Sequence, residues 1–203
     1  MAAEMLQGAF LLFLTQDAVP ADTHLIEELY RMIETPLPEK LAERLRRRAE
    51  EARTGTRESE KGIQKCLHTE KKGTEERMET SSEPSEGRES VFRDAGKICV
   101  AYACQLPAAD CGELERFTRS FNYGSKECIK TVEDIPKLGI KTFFCSDVCA
   151  LYRRSSYEQL GGFVRRAIFN EDMIFASKVI RNFGAVGYCA RAKVIHSHNY
   201  SGR

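Results

Sequence analysis

Short apolar runs separated by helical patterns determine which fold class this chain can adopt. Mostly apolar runs at 9–14, 98–103, 148–152, 186–190 and 192–195 are typical of strands, with a further short strand predicted at 141–145. Helical patterns lie between them, at 24–34, 112–121, 157–160 and 171–183. Residues 9–14 read as a fully buried strand of a parallel sheet. Alternation of strands and helices predicts an α/β fold.

Hydrophobic content and net charge limit the kinds of partner that the chain can bind. The 203 residues are 42% hydrophobic, which is enough for one domain with a core. Lys and Arg total 31 against 30 for Asp and Glu, so no net charge attracts the chain to nucleic acid or to an anionic membrane. We therefore expect no nucleic-acid partner, and any charged ligand must be recognised locally.

The cysteines and the N-terminal apolar run indicate a cytoplasmic protein. Most of the eight cysteines lie in apolar or strand-like runs and none forms a C-x-x-C pair, so buried free thiols are expected rather than disulfides or zinc. Residues 9–14 are too few to cross a bilayer, which takes ~20 residues. No basic residue precedes them, so a signal peptide is not expected.

A change of composition divides the chain into three segments. Residues 39–94 are dominated by Glu, Lys, Arg, Ser, Thr and Gly, which predicts a charged helix as far as residue 53 and disorder beyond it. We interpret 39–94 as a charged low-complexity insertion. Residues 1–38 and 95–203 would then form one domain around it.

Three polar sites stand at the ends of apolar elements, where α/β sheets bind ligands. Asp17 follows the first strand and could bind a divalent cation, or could simply cap a helix or a turn. Glu171 and Asp172 begin a long helix, where they suit either a general base or ordinary capping. His196 and His198 follow the last strand and point to opposite sides, so one could bind a cation and the other pack elsewhere.

Together these sites belong to a longer pattern that resembles a known family. The pattern includes Thr15-Gln16-Asp17, Gln105-Leu106-Pro107, Phe121-Asn122-Tyr123, Cys149-Ala150-Leu151-Tyr152-Arg153-Arg154, Leu160-Gly161-Gly162-Phe163, Asn170-Glu171-Asp172-Met173 and His196-Ser197-His198-Asn199-Tyr200. In order and spacing it resembles the second half of family 2 glycosyltransferases, and most of all bacterial rhamnosyltransferase-like enzymes of surface-polysaccharide synthesis.

The resemblance implies a fold, a cofactor and substrates. The expected fold is a partial GT-A fold lacking its N-terminal nucleotide-binding half. The expected cofactor is a divalent metal, Mg²⁺ or Mn²⁺, and the expected substrates are a nucleotide-sugar donor and a glycan or lipid-linked acceptor. The reaction would invert the anomeric centre, and the protein would work in the cytoplasm, with peripheral contact at the inner face of the membrane.

Residue roles follow from the same resemblance. Asp172 matches the catalytic base and Glu171 its neighbour. Asp17 and His196 match metal ligands, with His198 the weaker candidate. Gly161 and Gly162 would let the backbone approach the sugar, and Arg153 and Arg154 would contact diphosphate or acceptor, unless one is a structural ion-pair partner.

Departures from the family pattern leave other functions open. The family's base-binding half is not recognisable before Met1, the charged insertion is unusual, and Asp147 stands where Asn is common. A non-catalytic remnant or interaction module is therefore one alternative to a glycosyltransferase. A metal-dependent hydrolase that uses the same Asp and His is another.

Overall fold

The computed structural model of the chain describes residues 7–67, 92–164 and 166–196. Within them the strands are β1 (Phe10–Leu14), β2 (Val19–Pro20), β3 (Ile98–Leu106), β4 (Cys128–Lys130), β5 (Cys149–Arg153) and β6 (Ala185–Ile195). The helices are α1 (Leu25–Glu34), α2 (Glu39–Leu67), α3 (Glu113–Asn122), α4 (Ile135–Leu138), α5 (Arg154–Gln159) and α6 (Glu171–Arg181). The candidate cation ligand His198 lies outside these ranges.

The six strands form one mixed sheet in the order β1-β5-β3-β6-β2, and β4 also pairs with β6. β3 and β6 are parallel, while β5 runs antiparallel to both β1 and β3. The predicted α/β class is therefore confirmed, although the sheet is mixed rather than parallel.

Helices cover both faces of the sheet, and the sequence of β3 shows why. Its alternate residues Val100 and Tyr102 pack with α6, whereas Ala101 and Ala103 pack with α1. Since successive side chains of a strand point to opposite faces, a strand covered on both faces must be apolar at every position. This explains the unbroken apolar run that marks β3.

Both long amphipathic helices occur where the sequence predicts them. The buried side of α1 consists of Leu25, Leu29, Met32 and Ile33, and that of α6 of Phe175, Ala176, Val179 and Ile180. Both sets follow the three-to-four-residue spacing of a helix with one apolar face.

The structure differs from the predicted strands in three places. β1 is not a fully buried parallel strand, because it lies at one end of the described sheet and leaves Leu12 39% exposed. Residues 141–145 form no strand, since Gly139–Phe143 is a 3₁₀ helix. The strands predicted at 186–190 and 192–195 are one strand, whose pairing with β3 shifts register between Cys189 and Lys193.

The charged segment contributes to the core at its beginning. α2 buries Ala42, Leu45 and Ala49, while most of its other described side chains are charged and exposed. A Cβ atom on Gly96 would lie 2.7 Å from the Ala42 carbonyl oxygen, so only glycine permits this approach of backbone to helix. The helix predicted to residue 53 continues to Leu67.

The prediction of buried free thiols is confirmed for the described cysteines, with one exception. Seven cysteines are free thiols, and all but Cys128 are buried. None of the described helices is both long and apolar enough to cross a bilayer.

Candidate functional site

Strand direction brings the polar strand ends together at one edge of the sheet. β1, β3 and β6 run the same way, so their carboxyl ends lie at one edge together with the amino end of antiparallel β5. Asp17 follows β1, Gln105 lies at the end of β3 and His196 follows β6. Ser146 and Asp147 come just before β5, at the same edge.

Asp17 and His196 are in direct contact there. The His196 Nε2 atom lies 3.2 Å from the Asp17 Oδ2 atom, and the imidazole is buried at 4% exposure while the carboxylate is partly open to water. The neighbouring Thr15 hydroxyl lowers the pKa of Asp17, and His196 lowers it further. The carboxylate is therefore held in its charged form.

A buried polar network continues from the other side of the imidazole. His196 Nδ1 lies 3.2 Å from both the Oε1 atom of Gln105 and the Nη2 atom of Arg119. Arg119 Nη1 also donates to Gln105 Oε1. Gln105 Nε2 in turn donates to Ser146 Oγ at 2.7 Å, which extends the network to the start of β5.

Asp172 stands in the first turn of α6, next to the end of this network. Its Oδ1 atom accepts from the Met173 amide at 2.6 Å and its Oδ2 atom from the Asp147 amide at 3.3 Å. Burial raises the pKa of Asp172 while these backbone donors partly oppose the shift, and neighbouring Glu171 raises it further. Asp172 is thus a more basic carboxylate than an exposed one.

Asp147 provides a second perturbed carboxyl beside Asp172. Burial raises the pKa of Asp147 to about 6, and the charges of Asp172 and Glu171 add to the shift. Three carboxyls therefore gather at the N-terminus of α6, where helix dipole and free amides favour negative charge.

The structure does not bring Arg153 and Arg154 to this edge. Arg153 pairs with Phe10 at the beginning of β1, at the opposite end of the strand from Asp17. Its guanidinium bonds to Glu34 at 2.7 Å and to the Ile33 carbonyl oxygen at 3.1 Å, while Arg154 pairs with Glu158 at 2.6 Å. Both arginines line a separate cavity of about 710 Å³ that also includes Gln7, Arg93 and Gln159.

Gly161 and Gly162 lie in the turn that follows α5. Both have positive φ, and a Cβ on Gly162 would be 2.9 Å from the Tyr157 ring, so the turn after α5 requires glycine on local grounds. The Gly162 carbonyl oxygen accepts from Lys178 Nζ at 3.2 Å. Lys178 is six residues beyond Asp172, or about 9 Å along the helix at 1.5 Å per residue.

Sequence reasoning missed Arg119 and Ser146 as parts of the site. Gln105 appeared only within the resembling Gln-Leu-Pro segment. The available signal for Arg119 was its spacing four residues after Glu115, with which it pairs at 3.2 Å. That spacing is common on solvated helices, so it did not point to a site.

Asp17 and His196 fit a divalent cation by distance and by donor chemistry. Two ligand atoms about 2.1 Å from one cation and at right angles to each other are about 3.0 Å apart. The observed 3.2 Å between Asp17 Oδ2 and His196 Nε2 is close to this. Two protein ligands leave coordination positions for water and for a diphosphate.

Another group of potential ligands is already neutralised. Glu28, Glu127 and Cys189 offer ligand atoms within 4.8 Å of one another. Arg31 and Arg191, however, pair with both carboxylates. We read this group as an ion-pair network that ties α1 to β6.

About half of the chain is similar in sequence to two bacterial proteins. It is 49% identical over 106 residues to the O-antigen chain rhamnosyltransferase RfbN of Salmonella typhimurium. It is 47% identical over 116 residues to the O-antigen chain rhamnosyltransferase WbaN of Salmonella anatum. The matches cover 51% and 56% of this chain but only 34% and 36% of those proteins, so the chain spans about a third of the length of these relatives.

Two further comparisons gave no match. No family model and no solved structure matches the chain. Identity of nearly one residue in two over more than a hundred residues nevertheless makes the matched part similar to bacterial O-antigen rhamnosyltransferases, and the predicted resemblance to rhamnosyltransferase-like proteins is confirmed.

Proposed function

We propose that the chain is part of an inverting GT-A glycosyltransferase of family 2, in which residues 1–38 contribute to the metal site and residues 95–203 supply the acceptor side and the catalytic base. It would transfer a rhamnose-like sugar from a nucleoside diphosphate to a glycan or lipid-linked acceptor during polysaccharide synthesis. The observation that carries the proposal is that Asp17, His196 and Asp172 lie at one edge of the sheet. Gln105 and Arg119 connect His196 to Ser146, and the amide of the next residue, Asp147, bonds to Asp172. The names of the two relatives support the activity and the class of sugar.

Each residue would have a defined part in the reaction. Asp172 would accept the proton of an acceptor hydroxyl while the hydroxyl oxygen bonds to the anomeric carbon and the nucleoside diphosphate leaves. Its raised pKa would make it a stronger proton acceptor. Asp17 and His196 would hold a divalent cation, Mg²⁺ or Mn²⁺, which stabilises charge on the leaving diphosphate.

Arg153 and Arg154 take no part in this reaction scheme, whereas Gly161 and Gly162 would let the backbone approach the sugar. Arg153 and Arg154 line a cavity at the other end of β1, and the Gly162 carbonyl oxygen accepts a hydrogen bond from Lys178 of α6. Working with a lipid-linked acceptor would bring the protein to the cytoplasmic face of a membrane.

Replacing the proposed base tests the assignment. Asp172→Asn keeps the shape of the side chain but removes its basicity, so transfer should fall by about 10²–10⁴-fold. Binding of the donor should stay nearly unchanged, because the base acts on the acceptor. Transfer from a nucleoside diphosphate-rhamnose to a lipid-linked glycan is measured by mass spectrometry, and donor binding by calorimetry.

A matched control and the products separate the alternatives. Asp134→Asn alters a carboxylate that caps a turn after β4, near the opposite edge of the sheet, and should leave transfer unchanged. Near-normal transfer by Asp172→Asn would exclude Asp172 as the base. Free sugar instead of a glycoside would indicate a hydrolase, and donor neither bound nor consumed would favour a non-catalytic module.

A further inference from the structure

The Nδ1 atom of His196 has two partners of opposite kinds. Gln105 Oε1, an acceptor, and Arg119 Nη2, a donor, each lie 3.2 Å from it. An imidazole nitrogen either carries a proton and donates or lacks one and accepts. Each neutral form of the ring therefore finds a suitable partner at Nδ1.

Arg119 and Ser146 fix the orientation of the Gln105 amide. A guanidinium can only donate, so the Gln105 atom that faces Arg119 Nη1 must be the carbonyl oxygen. The amide nitrogen then faces Ser146 Oγ, as observed at 2.7 Å. Gln105 consequently offers His196 an acceptor and cannot offer it a donor.

The two ring forms have different consequences at Asp17. With the proton on Nε2, the ring donates to Asp17 Oδ2 and Nδ1 accepts from Arg119. With the proton on Nδ1, the ring donates to Gln105, and the Nε2 lone pair faces the Asp17 carboxylate, an arrangement that a cation between the two would stabilise.

We propose that Gln105 and Arg119 are positioning residues that set the tautomer of His196. Arg119 supports the form that bonds to Asp17, and Gln105 supports the form whose Nε2 can bind a divalent cation. One proton moves from Nε2 to Nδ1 of the same ring, so the ring stays neutral and no proton is released. This inference rests on the cation site of the proposed function.

Burial makes the Gln105 acceptor hard to replace. Gln105 is 3% and His196 4% exposed, so water has little access to the Nδ1 side of the ring. If the acceptor is removed, a proton on Nδ1 loses its bond to Gln105 and is left facing the donor Arg119. The form that binds the cation then becomes unfavourable.

The test measures Mn²⁺ affinity and the tautomer separately on the full chain. Gln105→Leu should weaken Mn²⁺ binding about 10–100-fold, the usual effect of losing an outer-shell partner. Gln105→Glu, which keeps an acceptor, should recover most of the affinity. Gln159→Leu makes the same change beside Arg93, at the other end of the sheet, and should have no effect. Electron paramagnetic resonance of free Mn²⁺ gives the affinities.

The imidazole ¹⁵N shifts of His196 report the tautomer without metal. The proton should lie mainly on Nε2 in the wild type and shift further to Nε2 in Gln105→Leu. Unchanged shifts together with unchanged Mn²⁺ affinity in Gln105→Leu would overturn the positioning role. If instead Asp17→Ala leaves Mn²⁺ affinity unaltered, the cation site of the proposed function fails, and the positioning role fails with it.

Discussion

At the scale of single residues, the crowding of carboxyls around Asp172 stands out. Asp147 donates its backbone amide to Asp172 yet places its own carboxyl in the same half-buried region. Asn is common at this position in the family that the sequence resembles. An Asp there adds a carboxyl whose ionised form is disfavoured by burial and by neighbouring carboxylates. Its ionisation should therefore lower the free energy of unfolding.

Asp147→Asn should stabilise the protein at neutral pH but not in acid. Because folding raises the pKa of Asp147 to about 6, the folded state keeps a proton that the unfolded chain loses near pH 4. Stability from this group is thus lost as pH rises from about 4 to about 6. With allowance for solvent screening, we expect a gain on the order of 1 kcal/mol at pH 7.5.

Urea unfolding of Asp147→Asn and the wild type at several pH values measures this difference in the free energy of unfolding. The difference between Asp147→Asn and the wild type should disappear as pH falls towards 4. A constant difference across that range would show that the effect comes from packing and not from ionisation.

At the scale of elements, the contact between α1 and β6 depends on a glycine. A Cβ on Gly187 would lie 2.8 Å from the Met32 Sδ atom and 3.4 Å from Ile98 Cγ2. The glycine therefore sets how closely the helix approaches the strand. Its φ is not in the positive region, so the requirement is steric.

Gly187→Ala should lower the free energy of unfolding by about 1–3 kcal/mol, because the added methyl group overpacks this contact. Met32 is flexible, which favours the lower end of that range. Gly124→Ala is the control, since nothing lies within 4 Å of the added atom there. Equal urea midpoints for Gly187→Ala and the wild type would contradict the close approach.

At the scale of the whole molecule, the beginning of the charged segment is part of the folded core. Leu45 of α2 is completely buried and belongs to the same cluster as Leu29 and Ile33 of α1. The high charge of this segment does not reveal its role in the core. Three buried apolar residues among many charged ones are enough to pack a helix against the rest of the protein.

Leu45→Ala should cost about 2–5 kcal/mol, as expected for a buried leucine replaced by alanine. Arg46→Ala, one residue further and exposed, should change stability by no more than about 0.5 kcal/mol. Thermal unfolding compares the two variants. A neutral Leu45→Ala would mean that α2 does not contribute to the core.

The sequence alone determined the elements with strong local patterns and the polar residues at their ends. Helix α1, helix α6 and strand β3 are readable because periodicity and apolar runs are properties of neighbouring residues. Asp17, Asp172 and His196 were recognisable for the same reason, since each directly follows or begins such an element. Their catalytic and metal-binding roles remain predictions.

Only the tertiary structure decided which residues lie together. Strand order and direction depend on pairing between distant segments. Local sequence therefore could not show that β1 is the outermost strand on one side of the described sheet. The same pairing places Arg153 at the far end of β1 and joins Gln105, Arg119 and Ser146 to His196. These contacts span from 14 to 91 residues of sequence, a separation at which local patterns carry no information.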